Sequence, residues 1–145
     1  MKVLVQRVTS ASVEVNHQIV GAVQTGFLLL VGVQKGDTAE QAAYLARKVA
    51  NLRIFEDENG KMNLSLKDVQ GACLAISQFT LAGDTSRGNR PGFETAARPE
   101  EARPLYECFV GCLRAEGIEV ATGIFQAEMK VSLVNDGPCT FMLEH

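Results

Sequence analysis

"FLLLVGV" (residues 27–33), followed shortly by "DTAEQ" (37–41), decides the fold class. An unbroken apolar run of this length, bounded by glycine and polar residues, predicts a central β-strand. Asp37-Thr38 then opens a helix, because Thr38 and Gln41 form a T-x-x-Q capping box in which each residue satisfies the other's orphaned N–H. Ala42, Leu45, Ala46, Val49 and Leu52 recur at helical spacing and make its buried stripe. A buried strand feeding an amphipathic helix begins a pattern that alternates between strands and helices along the chain.

Working outward, residues 2–9 and 12–23 read as two strands, the second folded back around Asn16-His17. "DENGK" (57–61) is a turn, and Ala72 to Ile76 is a second apolar strand. Residues 82–98 carry Gly83, Gly88, Pro91 and Gly92 and read as a long loop. A second helix follows and ends near Gly117, its start open between Pro99 and Pro104. Two strands, near 118–123 and 129–143, complete the pattern. There is no internal repeat and no linker, so residues 1–145 are read as one domain.

Composition narrows the function. The net charge of −3 argues against broad non-specific nucleic-acid binding, though not against a small RNA contact through local arginines. No apolar stretch approaches the ~18 residues of a membrane span, and "MKVLVQRV" alternates like a strand rather than a signal peptide, so a cytoplasmic protein is expected. Cys73, Cys108, Cys112 and Cys139 contain no C-x-x-C pair and read as reduced, partly buried thiols; neither a metal nor a cofactor is expected. The two histidines, His17 and His145, fall at a turn and at the last residue, which disfavours a Ser-His-Asp or Cys-His site. No phosphate-binding glycine motif is present.

Three stretches fit a purely structural reading poorly. "SQFTL" (77–81) gathers hydrogen-bonding groups where a hydrophobic strand enters a long loop, either to bind something or to satisfy nearby backbone. "DTSRGNRPGF" (84–93) sets two arginines among glycines, as a functional loop or a solvated one. "NDGPCT" (135–140) interrupts the last strand with Gly-Pro; in isolation it is a bulge that ends an edge strand.

Taken together, "VQRVTSASV" (5–13), "GKMNLSL" (60–66), "SQFTL", "RGNRPGF" (87–93) and "VSLVNDGPCT" (131–140) resemble the D-aminoacyl-tRNA deacylase family, in order along essentially the whole chain. Cys139 departs from the valine expected there, a small apolar exchange. The resemblance implies a compact α/β domain with a curved, barrel-like, mostly antiparallel sheet and helices packed outside, paired as a homodimer with active sites at the interface. It implies an editing hydrolase that cleaves the ester of D-aminoacyl-tRNA, and of glycyl-tRNA such as Gly-tRNA(Ala). Ser77, Gln78, Phe79 and Thr80 would form the catalytic pocket that receives the terminal aminoacyl-adenosine. A cis Gly137-Pro138 bond, held by Arg7, would enter the partner's pocket as the chiral filter. Asn135, Arg87, Arg90 and Pro91 are the expected substrate and tRNA contacts.

Such a filter has a physical basis. Enantiomers share composition and polarity, and a soft apolar pocket separates similar groups by only about 1–3 kcal/mol. A rigid backbone wall excludes an L side chain, while glycine passes. Without a histidine, backbone N–H groups near Phe79-Thr80 and the ribose 2′-hydroxyl are the expected catalytic groups. Two rivals stand beside this reading: a small-ester hydrolase with a Ser, Thr or Cys nucleophile, and a non-catalytic module that binds the tRNA end.

Overall fold

In the computed structural model, which describes residues 1–145, the run at 27–33 forms β3 (Gly26–Gly32). Its alternate side chains enter two different cores. Phe27, Leu29 and Val31 face the helices, whereas Leu28 packs with Val8, Val13, Leu74 and Ile76 inside the curved sheet. A strand buried on both faces has no polar face to present, hence the unbroken apolar run.

The sheet has six strands: β1 (Lys2–Val15), β2 (Gln18–Val23), β3, β6 (Ala72–Ser77), β7 (Glu119–Thr122) and β8 (Lys130–Glu144). Their order is β2-β1-β3-β6-β7, with β8 along the other edge of β1. β1 runs antiparallel to β2, β3 and β8, while β3-β6 and β6-β7 are parallel, so the sheet is mixed. It curls until β2 lies against β7: a Cβ on Gly21 would stand 2.6 Å from the Thr122 carbonyl oxygen. Only glycine allows this near-closure of the barrel. A short hairpin, β4 (Phe55–Glu56) with β5 (Met62–Leu64), turns at the expected 57–61.

One expectation is corrected. Residues 2–15 form a single strand rather than two, and the apparent break is a change of face. The pairing steps from Val8↔Asn135 to Ser10↔Val134, leaving Thr9 as a one-residue bulge. Val3 and Val5 therefore face the helices, whereas Ala11 and Val13, also odd-numbered, face the barrel interior. One inserted residue reverses every side chain after it. The turn at Asn16-His17 stands as expected, both residues having positive φ (50° and 63°) in a two-residue hairpin.

Both helices cover one face. Thr38 caps α1 (Ala39–Asn51), its N–H and hydroxyl donating to Gln41 Oε1 at 2.7 and 2.6 Å. Ala42, Leu45, Ala46 and Val49 are buried as the stripe requires, while Leu52 is half-buried at the C-cap. α2 (Pro99–Ala115) begins at Pro99, with Pro104 inside its second turn. At its end the Ile118 N–H reaches Leu113 O (3.3 Å) and the Gly117 N–H reaches Arg114 O (2.9 Å), a Schellman closure around the left-handed Gly117. Tyr106, Phe109, Val110 and Leu113 seal α2 onto the sheet and α1. Each fully buried large side chain contributes about 1.5–3 kcal/mol through removal from water. No helix is long and apolar enough to cross a membrane.

Candidate functional site

β6 delivers Ser77 to the rim of a cavity of about 590 Å³. This volume lies within the range of small-ligand sites. Ser77, Gln78 and Phe79 form one edge, with Ile76 before them on β6, Val31 on β3 and Val33 just after it. α2 and its approach supply Ala97, Pro99, Ala102 and Tyr106. The β7-β8 loop supplies Phe125, Gln126 and Ala127, and Met129 with Val131 completes the wall. The lining is thus apolar, with hydroxyl and carboxamide groups as its polar features.

After Ser77 the chain tightens. The Gln78 N–H donates to Val31 O (2.8 Å), and Phe79–Ala82 form a 3-10 turn. The first N–H groups of such a turn have no partner within it, so Phe79 and Thr80 offer free backbone donors beside the cavity. Gln78 Nε2 donates to Thr80 Oγ1 and fixes the hydroxyl's position. Thr80 itself is exposed beside the mouth and does not line the cavity.

No lining residue is a carboxylate, imidazole, amine or thiol. The one titratable group is Tyr106, whose hydroxyl donates to the Ala75 carbonyl (2.8 Å) and whose pKa burial pushes up to about 12. It is therefore a structural donor. Tyr106→Phe is expected to lower stability by about 1 kcal/mol, read by denaturant titration, because Ala75 O still accepts from the Gly123 N–H at 3.3 Å. Turnover per folded molecule should be unchanged; a loss above about tenfold would make Tyr106 an acid-base group.

"NDGPCT" lies elsewhere. Gln6 pairs with Thr140 and Val8 with Asn135, so Arg7 alone stands opposite Asp136, Gly137, Pro138 and Cys139. The four residues leave the ladder as an oversized bulge, with Gly137 and Pro138 exposed and their peptide bond cis. Arg7 shares the helix-side face of Val3 and Val5 and is 6% exposed. Its Nε donates to Asp136 O (2.9 Å) and its Nη1 to Ile54 O (2.5 Å). Asn135 Nδ2 donates to Arg7 O and Cys139 O, each at 3.1 Å. A Cβ at position 137 would stand 2.1 Å from Asn135 Oδ1 and 3.0 Å from the Cys139 nitrogen, so a larger residue there would displace the Asn135 side chain. Asn135 thus spends its amide on bracing the bulge. Burial pushes the Cys139 thiol pKa up, as for a small core residue.

Arg87, Arg90 and Pro91 form a third place. Two backbone bonds between Asp84 and Gly92 (2.8 and 2.9 Å) pinch the loop, and the three residues are exposed at its tip. Neither arginine makes an ion pair. The structure therefore brings Ser77, Gln78 and Phe79 together around one cavity. Within this chain, Gly137, Pro138, Arg7 and Asn135 do not reach it. Sequence reading missed Tyr106, Phe125, Gln126 and Met129; the available signal was an aromatic residue within "TGIFQAEM", between two strands.

A nearly closed α/β barrel, with an apolar cavity at a strand exit and a rigid backbone bulge exposed elsewhere, is the framework of a small ligand-handling domain. Residues 4–144 match the family model described as D-Tyr-tRNA(Tyr) deacylase. Curated relatives named D-aminoacyl-tRNA deacylase include one from Geotalea uraniireducens (strain Rf4), 62% identical over 99% of this chain and 93% of its own. Another, from Bacillus pumilus (strain SAFR-032), is 58% identical over 99% and 98%. A solved structure described as a c-Myc DNA unwinding element binding protein superposes with TM-score 0.93 at 40% identity, covering 100% of this chain and 99% of its own. One described as a probable eukaryotic D-amino acid tRNA deacylase gives TM-score 0.81 at 17% identity over 98% and 97%, a likeness of fold. The chain belongs to the D-Tyr-tRNA(Tyr) deacylase family, enzymes that hydrolyse the aminoacyl-tRNA ester.

Proposed function

We propose that this chain is a D-aminoacyl-tRNA editing hydrolase that selects by excluding L side chains with the Gly137-Pro138 backbone. The observation that carries this reading is the separation of two parts: an open cavity at Ser77-Phe79, and an exposed bulge, braced by Arg7 and Asn135, outside that cavity. A second copy of the chain resolves the separation by carrying its bulge into the first copy's cavity. β8 favours such pairing. It has one sheet neighbour, and it exposes Val134 (57%), Phe141 and Met142. A long edge strand with apolar residues is ordinarily covered.

In this reading the cavity takes the terminal adenosine and its ester, and the Phe79 and Thr80 N–H groups receive the charge that develops on the carbonyl oxygen. One such donor typically contributes about 2.7–4 kcal/mol. Gln78 and Thr80 position the substrate, whose 2′-hydroxyl assists the attacking water. Arg87 and Arg90 meet the phosphates of the acceptor end, and the enzyme works in the cytoplasm without metal or cofactor.

The test is deacylation of D-tyrosyl-, L-tyrosyl- and glycyl-tRNA under single-turnover conditions. Loss of the D and glycyl esters with the L ester intact is expected. Equal loss of D and L would remove the backbone filter, a trapped acyl-enzyme would favour a covalent nucleophile, and binding without turnover would leave only a tRNA-end module.

A further inference from the structure

Phe79 and Phe93 meet edge to face at the mouth of the cavity, ring centroids 5.1 Å apart with planes at 60°. They are unusually bare for aromatic rings, 58% and 39% exposed. Phe79 lines the cavity; Phe93 lies outside it. The backbone keeps the second ring in place. A Cβ at Gly83 would stand 3.1 Å from Phe93 Cε1 and 3.0 Å from Thr80 O, so a side chain there would crowd the ring. Thr95 Oγ1, two residues on, donates to Ala82 O (2.9 Å) and ties the loop's returning arm to its base. Immediately before Phe93, the Asp84-Gly92 pinch presents Arg87 and Arg90, which have no acidic partner. Two carboxylates lie nearby: Asp84 is turned onto the Ser86 N–H (2.8 Å), and that of Glu94 folds back over Gly92, so neither pairs with these arginines.

Exposed aromatic rings on the same loop as unpaired arginines form a surface suited to single-stranded nucleic acid: bases stack on the rings and phosphates meet the cations. We propose that Phe93, packed against Phe79, is a stacking platform for the unpaired base that precedes the terminal adenosine of the acceptor end. This rests on the reading of the cavity as the site of the aminoacylated tRNA terminus. The cavity holds the last nucleoside, and the ring outside it takes the next base on the path toward Arg87 and Arg90. The platform serves affinity and register, and the bond-breaking step does not use it.

The experiment compares two competitors of D-tyrosyl-tRNA deacylation, adenosine and the trinucleotide CCA. The trinucleotide should inhibit the wild-type protein more strongly than adenosine. Phe93→Ala should raise its inhibition constant about five- to a hundredfold, the range of one base-aromatic stack, and leave that of adenosine unchanged. Phe93→Leu, which keeps an apolar side chain without a π-face, should behave like Phe93→Ala, and Phe93→Tyr like the wild type. Equal inhibition of the wild type by both competitors would overturn the platform, as would a Phe93→Ala effect on both or on neither. A change in sedimentation of Phe93→Ala would also overturn it, assigning the ring to a contact between subunits. Absence of wild-type turnover would instead sink the underlying reading of the site, so the two failures are distinguishable.

Discussion

Deacylation of a D-aminoacyl-tRNA whose terminal ribose carries hydrogen in place of the 2′-hydroxyl is expected to be about 10²- to 10⁴-fold slower, with binding unchanged. The reason is the composition of the cavity. Its lining offers Ser77, Gln78 and Gln126, with no group able to take a proton at neutral pH. Tyr106 is held protonated by burial and bonded to Ala75 O. His17 projects from a hairpin turn with its side chain 90% exposed, and His145 stacks on Tyr44 at 4.0 Å. Oriented backbone N–H groups stabilise negative charge but cannot deprotonate water. In the proposed reading, the vicinal hydroxyl of the substrate supplies that assistance. Because the deoxy ester also differs in intrinsic lability, the comparison is the enzymatic rate divided by the uncatalysed rate for each ester. An unchanged ratio would exclude substrate assistance and return attention to the protein's own hydroxyls.

Arg7→Ala is expected to cost about 3–5 kcal/mol of stability and to narrow the ratio of D to L turnover. The guanidinium donates to two carbonyl oxygens, Ile54 O and Asp136 O, and a charge-assisted bond of this kind contributes about 1.5–3 kcal/mol. The accompanying ion pair to Asp136 (3.3 Å) adds little, since that carboxylate is half exposed and screened by water. Removing the side chain unpins the bulge from the sheet and leaves a gap between β1 and the segment after α1. The melting temperature should fall by about 10–15 °C. Arg7→Lys keeps the charge but lacks the fork needed to reach two acceptors, so it should recover part of the stability and little of the selectivity. If either variant kept the parent D-to-L ratio while losing stability, the bulge would be structural and the chiral filter would lie elsewhere.

Much of the fold was legible because local rules agreed with the final structure. "FLLLVGV" is apolar on both faces since it is buried on both, and Thr38 with Gln41 announced the helix that follows. The break seen between residues 9 and 12 was a bulge. Alternation registers a change of face as a gap, and the hydrophobic pattern alone cannot distinguish the two. The start of α2 was ambiguous because either proline suits a first turn, and packing of Ala102 and Tyr106 decided for Pro99. At the site, "SQFTL" and "NDGPCT" stood out through polar groups and Gly-Pro where a strand wants neither. Tyr106 and Met129 did not, because an apolar residue that lines a cavity looks like one that fills a core.

The oversized bulge exists only where the first strand meets the last. Arg7 and the Asp136 carbonyl that it grips are 129 residues apart in sequence, and β1 pairs with β8 on both sides of the bulge, from Lys2 to Glu14. Such a long-range contact is entropically costly to close and tends to form late in folding. A chain still being made cannot form this element until β8 has been added. In the proposed reading, discrimination is therefore the last property that the molecule acquires.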